Sequence, residues 1–166
     1  MTTLHNEIVV DAPPDAVWKV LSTLDVLHEY DLGVRKASVV GEVREGLGAA
    51  RRCELAPGGW FEERVVTWEP GERLAFELFA CTLPVKRLRH DYVLQAEGAC
   101  TRVTQRMEYE LKYGLFGRAL DAVVVRRQWN AGIQGFFTGL KRQVERGATS
   151  TPGRPTVRPG TRSAAR

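Results

Sequence analysis

Five chemically capable residues recur at every second position in two stretches of the chain: His90 and Tyr92, then Gln105, Met107 and Tyr109. Leu88 and Leu94 keep step with the first pair. Period-two spacing gathers such residues on one face of a strand. His90 has an unperturbed pKa near neutrality and suits proton transfer. Tyr92 and Tyr109 can donate to a carbonyl or steady an enolate. Arg127, further along the chain, can pair with a carboxylate, phosphate or enolate oxygen. A proton-transfer group beside oxyanion donors is what proton abstraction next to a carbonyl requires. His90, Tyr109 and Arg127 are therefore the candidate catalytic groups. Tyr30, Phe76, Leu78, Tyr92, Gln105, Met107, Asn130, Gln134 and Phe137 are the candidates for lining a ligand site.

Each has a structural alternative. An inward histidine can be a hydrogen-bonded core residue. The tyrosines serve equally as core aromatics with a solvated hydroxyl. Arg127 can extend into solvent beside Arg126. A one-residue slip of register would turn either strand face over.

The elements that must position these residues follow from periodicity. Residues 5–11 read as a first strand. Pro13-Pro14 ends it and opens a helix, where a missing N–H is no loss. Ala16, Val17, Val20 and Leu21 form the apolar stripe of that helix. Residues 24–30 read as a second short helix closed by Gly33. Period-two runs follow at 34–43, 49–55, 60–68, 74–79, 88–96 and 101–111. Turn signals such as Pro57-Gly58-Gly59, Glu69-Pro70-Gly71-Glu72 and Glu97-Gly98 separate them. Strands joined without helices predict an antiparallel meander in an α+β chain.

Residues 115–146 then give one helical pattern without proline. Phe116, Leu120, Val123, Ile133, Phe137, Leu140 and Val144 fall three or four apart, except for the gap between Val123 and Ile133. That gap holds Arg127 and Asn130. Gly132, Gly135 and Gly139 lie inside the same helix. Each costs about 1 kcal/mol against alanine, so they point to close backbone approach or to space left beside the helix.

Composition bounds the rest. The 166 residues suit one domain, at 1–146. Residues 147–166 carry Arg154, Arg158, Arg162 and Arg166 and no acid, which accounts for the whole net charge of +4. This Pro/Gly/Arg tail is too poor in apolar side chains to fold and is expected to be disordered. The balanced body argues against a specific nucleic-acid partner. No secretory signal opens the chain and no run is long enough to span a bilayer. The three cysteines, Cys53, Cys81 and Cys100, are widely spaced and fit reduced thiols in a cytoplasmic protein. His5, His28 and His90 are isolated, so no metal is expected, and no cofactor either. Gly46-Leu47-Gly48-Ala49 lacks the third glycine of a dinucleotide loop and leads into a strand-like Arg-Arg-Cys-Glu-Leu. No serine or cysteine nucleophile sits in a diagnostic motif.

Several segments together resemble the START/Bet v 1-like (SRPBCC) superfamily, in particular its polyketide cyclase/dehydrase-like branch. They are Ile8-Val9-Val10-Asp11-Ala12-Pro13-Pro14-Asp15-Ala16-Val17-Trp18, Gly46-Leu47-Gly48-Ala49, Val65-Val66-Thr67-Trp68-Glu69-Pro70-Gly71-Glu72-Arg73-Leu74, residues 98–104 with Tyr109-Glu110-Leu111, and Leu115-Phe116-Gly117-Arg118-Ala119-Leu120-Asp121. The resemblance covers about residues 4–146. It implies a helix-grip fold: a seven-stranded antiparallel sheet wrapped around a long C-terminal helix, with two short helices after the first strand. It also implies an internal cavity that binds a small hydrophobic or aromatic molecule, polyketide- or lipid-like. The resemblance also allows an enzyme, a polyketide cyclase, aromatase or dehydratase that works without cofactor through acid–base residues in that cavity, or a co-chaperone-like or ribosome-associated interaction protein. In the last case outer-face charges such as Arg106 and Glu108 would carry the function. The resemblance leaves these three readings, and the oligomeric state, open.

Overall fold

The double proline turns the first strand into the first helix. β1 (Thr2–Val10) ends before Ala12, and α1 (Pro14–Ser22) begins with Pro14 in its first turn and Asp15 beside it. The structure, a computed structural model, describes residues 1–112 and 126–149. After α1 the expected second helix is only a single 3-10 turn at Leu27–Glu29. There the Leu27 carbonyl already accepts from Tyr30 N at 3.2 Å and Asp31 N at 2.9 Å. Asp31 Oδ1 then accepts from Gly33 N at 2.9 Å and turns the backbone away from helix.

Six strands follow: β2 (Val34–Val40), β3 (Ala50–Leu55), β4 (Trp60–Glu69), β5 (Arg73–Cys81), β6 (Val85–Glu97) and β7 (Cys100–Leu111). β2 stops three residues short of its expected end because Gly41, at φ +83°, takes the chain out of the sheet. The seven strands form one sheet in the order β1-β7-β6-β5-β4-β3-β2, every neighbouring pair antiparallel. The last element, α2 (Arg126–Thr149), packs against β1 and α1. The chain is thus α+β with the helix-grip arrangement. Residues 115–125 of the expected closing helix, with Phe116, Leu120 and Val123, lie outside the described residues, as does most of the expected tail. No helix among the described residues is long and apolar enough to cross a membrane.

The inner face of the sheet and one face of α2 make the core. Ile133, Phe136, Phe137, Leu140 and Val144 are buried on the helix side. Phe137 and Leu140 are fully enclosed, each worth about 1.5–3 kcal/mol relative to exposure. Upstream the stripe continues through Trp129, which is half-buried, while Arg127 and Asn130 are exposed. Positions three and four residues before Ile133 both lie near its face, and the indole takes the inward one. At the other end Lys141 Nζ reaches the Val9 carbonyl and Asp11 Oδ2, each at 3.0 Å. Glu145 Oε1 accepts from Asp11 N at 2.9 Å. The opening strand-to-helix joint is therefore pinned directly to the closing helix.

The three helix glycines divide by what surrounds them. A Cβ on Gly139 would collide with the Tyr30 carbonyl oxygen, whereas a Cβ on Gly132 or Gly135 would meet nothing within 4 Å. Helix propensity alone favours alanine at all three by up to about 1 kcal/mol. Gly139→Ala is expected to reverse that sign and destabilise by about 1–3 kcal/mol, because the turn at Tyr30 must shift. Gly135→Ala should be stabilising. Urea unfolding midpoints of the two variants check this, and equal shifts of the same sign would refute it.

Candidate functional site

A cavity of about 470 Å³ lies between the inner sheet face and α2. Its walls are mainly apolar: Leu27 and Val34 near the 3-10 turn, Phe61, Leu88 and Met107 on the sheet, Trp129, Ile133 and Phe136 on the helix. Gly132 also borders it, so the missing side chain leaves room there. Against this apolar lining stand Arg51, Glu63, His90, Tyr92 and Gln105.

Arg51 and Glu63 are directly opposite each other on β3 and β4. Both side chains are almost wholly buried, at 5% and 1% exposure. Arg51 Nε donates to Glu63 Oε1 at 2.7 Å, and Nη2 reaches the same oxygen. The second carboxylate oxygen, Oε2, has no hydrogen-bond partner among the described residues, and neither has Arg51 Nη1. Below the pair lies Phe76, whose ring centre is 4.3 Å from the guanidinium carbon. Burial opposes the Arg51 charge, but the Glu63 carboxylate outweighs it and holds the guanidinium firmly charged.

His90 faces this pair from β6. Its Nε2 is 3.9 Å from Glu63 Oε2, and its Nδ1 is 3.3 Å from Gln105 Nε2. Gln105 Nε2 also donates to the Tyr92 hydroxyl at 2.9 Å. An amide N–H directed at Nδ1 makes that nitrogen the acceptor, which places the ring proton on Nε2, toward Glu63. Burial lowers the His90 pKa; Glu63 opposes that shift and Arg51 reinforces it. His90 is thus neutral, and the cluster as a whole carries one positive and one negative charge. Burial likewise raises the Tyr92 and Tyr30 pKa values far above the usual phenol range. Cys53, in register two residues from Arg51, is pushed up to about 12 and is an inert thiol.

Of the residues the sequence singled out, His90, Tyr92, Gln105 and Met107 meet at this cavity. Tyr109 is buried but stacks on Trp129, with ring centres 4.7 Å apart, and is not among the lining residues. Phe76 supports Arg51 from beneath, Leu78 is half-buried, and Phe137 is turned into the core. Tyr30 is buried against Phe136. Gln134 is exposed and its Nε2 donates to Asn6 Oδ1 at 3.0 Å. Arg127 and Asn130 are exposed on α2, on the side of the helix turned from the cavity wall that Trp129 and Ile133 provide. Arg51 and Glu63 were not singled out. Each stands in a doublet of like charge, Arg51-Arg52 and Glu62-Glu63, which reads as a solvated edge. The available signal is alternation: Arg51 is in step with Cys53 and Leu55, and Glu63 with Phe61 and Val65.

Residues 1–145 match the family described as polyketide cyclase/dehydrase and lipid transport. An uncharacterized protein of Mycobacterium tuberculosis is 26% identical over 144 residues, which is 85% of this chain and 83% of the relative. The fold is similar to that of the Zhui aromatase/cyclase from a Streptomyces species, with TM-score 0.76 and 15% identity over 92% of this chain and 98% of that one. It is also similar to a START-superfamily protein from Mycobacterium smegmatis, with TM-score 0.73 and 12% identity over 87% of this chain and 97% of that one.

The buried pair has a measurable signature. Arg51→Met alone strands the Glu63 carboxylate and is expected to destabilise by about 3–5 kcal/mol. The double variant Arg51→Met, Glu63→Leu leaves no charge behind and should recover most of that loss. Denaturant unfolding of the single and double variants checks it. A double variant no more stable than the single would show that the loss comes from packing rather than from an orphaned charge.

Proposed function

Because the chain belongs to the polyketide cyclase/dehydrase and lipid transport family, within the START/Bet v 1-like superfamily, we propose that its cavity binds one small hydrophobic or aromatic molecule. The family and the fold support ligand binding in general. The observation that carries the finer reading is the pairing of an apolar cavity of about 470 Å³ with one convergent polar cluster. That combination is the usual build of a small-molecule site: apolar walls for affinity and a few polar atoms for orientation. Arg51 Nη1, the Tyr92 hydroxyl and His90 Nε2 are the donors available to a ligand oxygen. A neutral fluorescent probe, N-phenyl-1-naphthylamine, should bind with one site per chain. Gly132→Phe, which puts a ring where Gly132 now leaves space, should abolish the signal without unfolding the protein. Equal binding by that variant would place the probe elsewhere.

The placement of His90 favours a second reading, dehydration of a β-hydroxycarbonyl ligand without cofactor. Glu63 Oε2 would take the proton from the carbon beside the carbonyl, with the developing oxyanion held by Arg51 Nη1 and Tyr92. Glu63 Oε2 would then pass that proton to the departing hydroxyl, which leaves as water and returns Glu63 to the carboxylate. His90 Nε2–H, on the Glu63 Oε2 side of the cluster at 3.9 Å from that oxygen, would hydrogen-bond the hydroxyl as negative charge builds on it. A naphthyl β-hydroxyketone is a suitable probe, since the enone formed absorbs at longer wavelength. His90→Leu, which removes the Nε2–H donor, should slow its formation by about a hundredfold or more while N-phenyl-1-naphthylamine still binds. An unchanged rate in that variant would remove His90 from the reaction.

A further inference from the structure

The polar cluster offers unmatched acceptors as well as unmatched donors. Glu63 Oε2 and Gln105 Oε1 are buried acceptors with no hydrogen-bond partner among the described residues, and both residues line the cavity. Arg51 Nη1 is an unpartnered donor in the same cluster. The Tyr92 hydroxyl accepts from Gln105, so its own proton is directed elsewhere. A ligand group that answers this set must both accept and donate. A hydroxyl does so: its oxygen accepts a hydrogen bond from Arg51 or Tyr92, and its O–H donates to Glu63 Oε2 or Gln105 Oε1. A carboxylate cannot. It has no hydrogen to give, and it would set a second negative charge against Glu63 in a water-poor site.

We infer that the cavity selects a neutral ligand bearing an alcohol or phenol and excludes the carboxylate of the same skeleton, with Glu63 setting that choice. This rests on the ligand-binding reading above. Arg51 by itself would attract an anion, but Glu63 takes two of its N–H groups on one oxygen and cancels its charge. His90 is neutral and adds no positive charge. Asp31, at the cavity lining near the 3-10 turn, adds a further carboxyl group rather than a cation. No lysine stands among the described lining residues. The Arg51–Glu63 pair therefore presents zero net charge with an unpaired negative oxygen, which is the opposite of a fatty-acid or phosphate clamp. An ether that keeps the skeleton but loses the O–H leaves both acceptors unpaired, and such sites reject the deficient analogue strongly.

Three ligands of one skeleton test this on the full chain at neutral pH, by displacement of N-phenyl-1-naphthylamine. 2-Naphthol should bind at least about tenfold more tightly than 2-methoxynaphthalene and than 2-naphthoate. Glu63→Gln removes the negative oxygen and leaves the Arg51 charge uncompensated, so it should narrow or invert the naphthol-to-naphthoate ratio. Its thermal melt establishes that it is folded, and the wild-type ratios stand without it. Naphthoate or methoxynaphthalene binding as tightly as naphthol to the wild type would overturn the selectivity and leave cavity binding intact. An unchanged ratio in folded Glu63→Gln would overturn the role given to Glu63. Failure of the wild type to bind N-phenyl-1-naphthylamine at all would overturn both this inference and the reading it rests on.

Discussion

Two unit charges held inside an apolar interior set the terms for everything around them. Taking Arg51 and Glu63 out of water costs several kcal/mol for each ion, and their attraction offsets this only when geometry is good. The sheet supplies the geometry, since β3 and β4 place the two residues directly opposite each other on the inner face. Phe76 supplies a flat aromatic floor for the guanidinium. The pairing is nevertheless incomplete. Both Arg51 donors converge on one carboxylate oxygen and leave the other facing His90. A bidentate fork would have used both oxygens and closed the cluster to anything else. The single-oxygen arrangement keeps it open toward the cavity.

That opening exists only while α2 stands at a fixed distance from the sheet. Two neighbouring contacts in the C-terminal half of the described helix hold it there. Gly139 lets the helix backbone press against the Tyr30 carbonyl, nearer than any side chain would allow. Lys141 and Glu145 tie the helix to residues 9–11 of the opening joint. Between Gly139 and the cavity the helix carries Phe136 and Ile133, with Gly132 giving relief. Close approach at one point and missing volume one helical stretch away are both functions of glycine, but they are physically opposite. One removes a side chain so that two backbones can meet. The other removes it so that something else can enter.

Which features the sequence discloses follows from how each is encoded. The double proline, the turn dipeptides and the period-two runs are local signals, and they locate all seven strands and the meander from β2 to β7, whereas the pairing of β1 with β7 is non-local and has no such signal. The inner faces of β6 and β7 were legible for the same reason, because Leu88, His90, Tyr92 and Leu94 fall at every second position, with Arg89 and Asp91 between the first three. The helix face was legible only in part. Trp129 and Asn130 both lie near the line of Ile133, and choosing between them needs the shape of the opposing wall. The second short helix shrank to one turn because of a side-chain hydrogen bond, Asp31 to Gly33, that competes with helix over three residues. The central pair was hidden by its own sequence context. Arg51 and Glu63 each sit next to a like charge that does point outward, and Arg52 and Glu62 indeed bond to each other at 2.8 Å on the outer face. Two ion pairs, one buried and one exposed, thus occupy the same two strands in adjacent register, and only burial tells them apart.

That contrast bears on why the inner pair is kept at all. The outer pair, Arg52 with Glu62, is half-exposed and worth at most about 1 kcal/mol. The inner pair is no better for stability, since apolar replacements of buried ion pairs are commonly neutral or stabilising. Its presence is better explained by the ligand binding proposed for this cavity. An apolar cavity gives affinity roughly in proportion to buried area but little orientation. One fixed donor and one fixed acceptor at a single wall turn that affinity into a preferred pose. The unpaired Arg51 and Glu63 atoms raise the free energy of the unliganded protein, and a matching group lowers it again on binding. Ligand binding and folding stability are then linked through the same two atoms, and the stabilisation grows with ligand concentration relative to its dissociation constant.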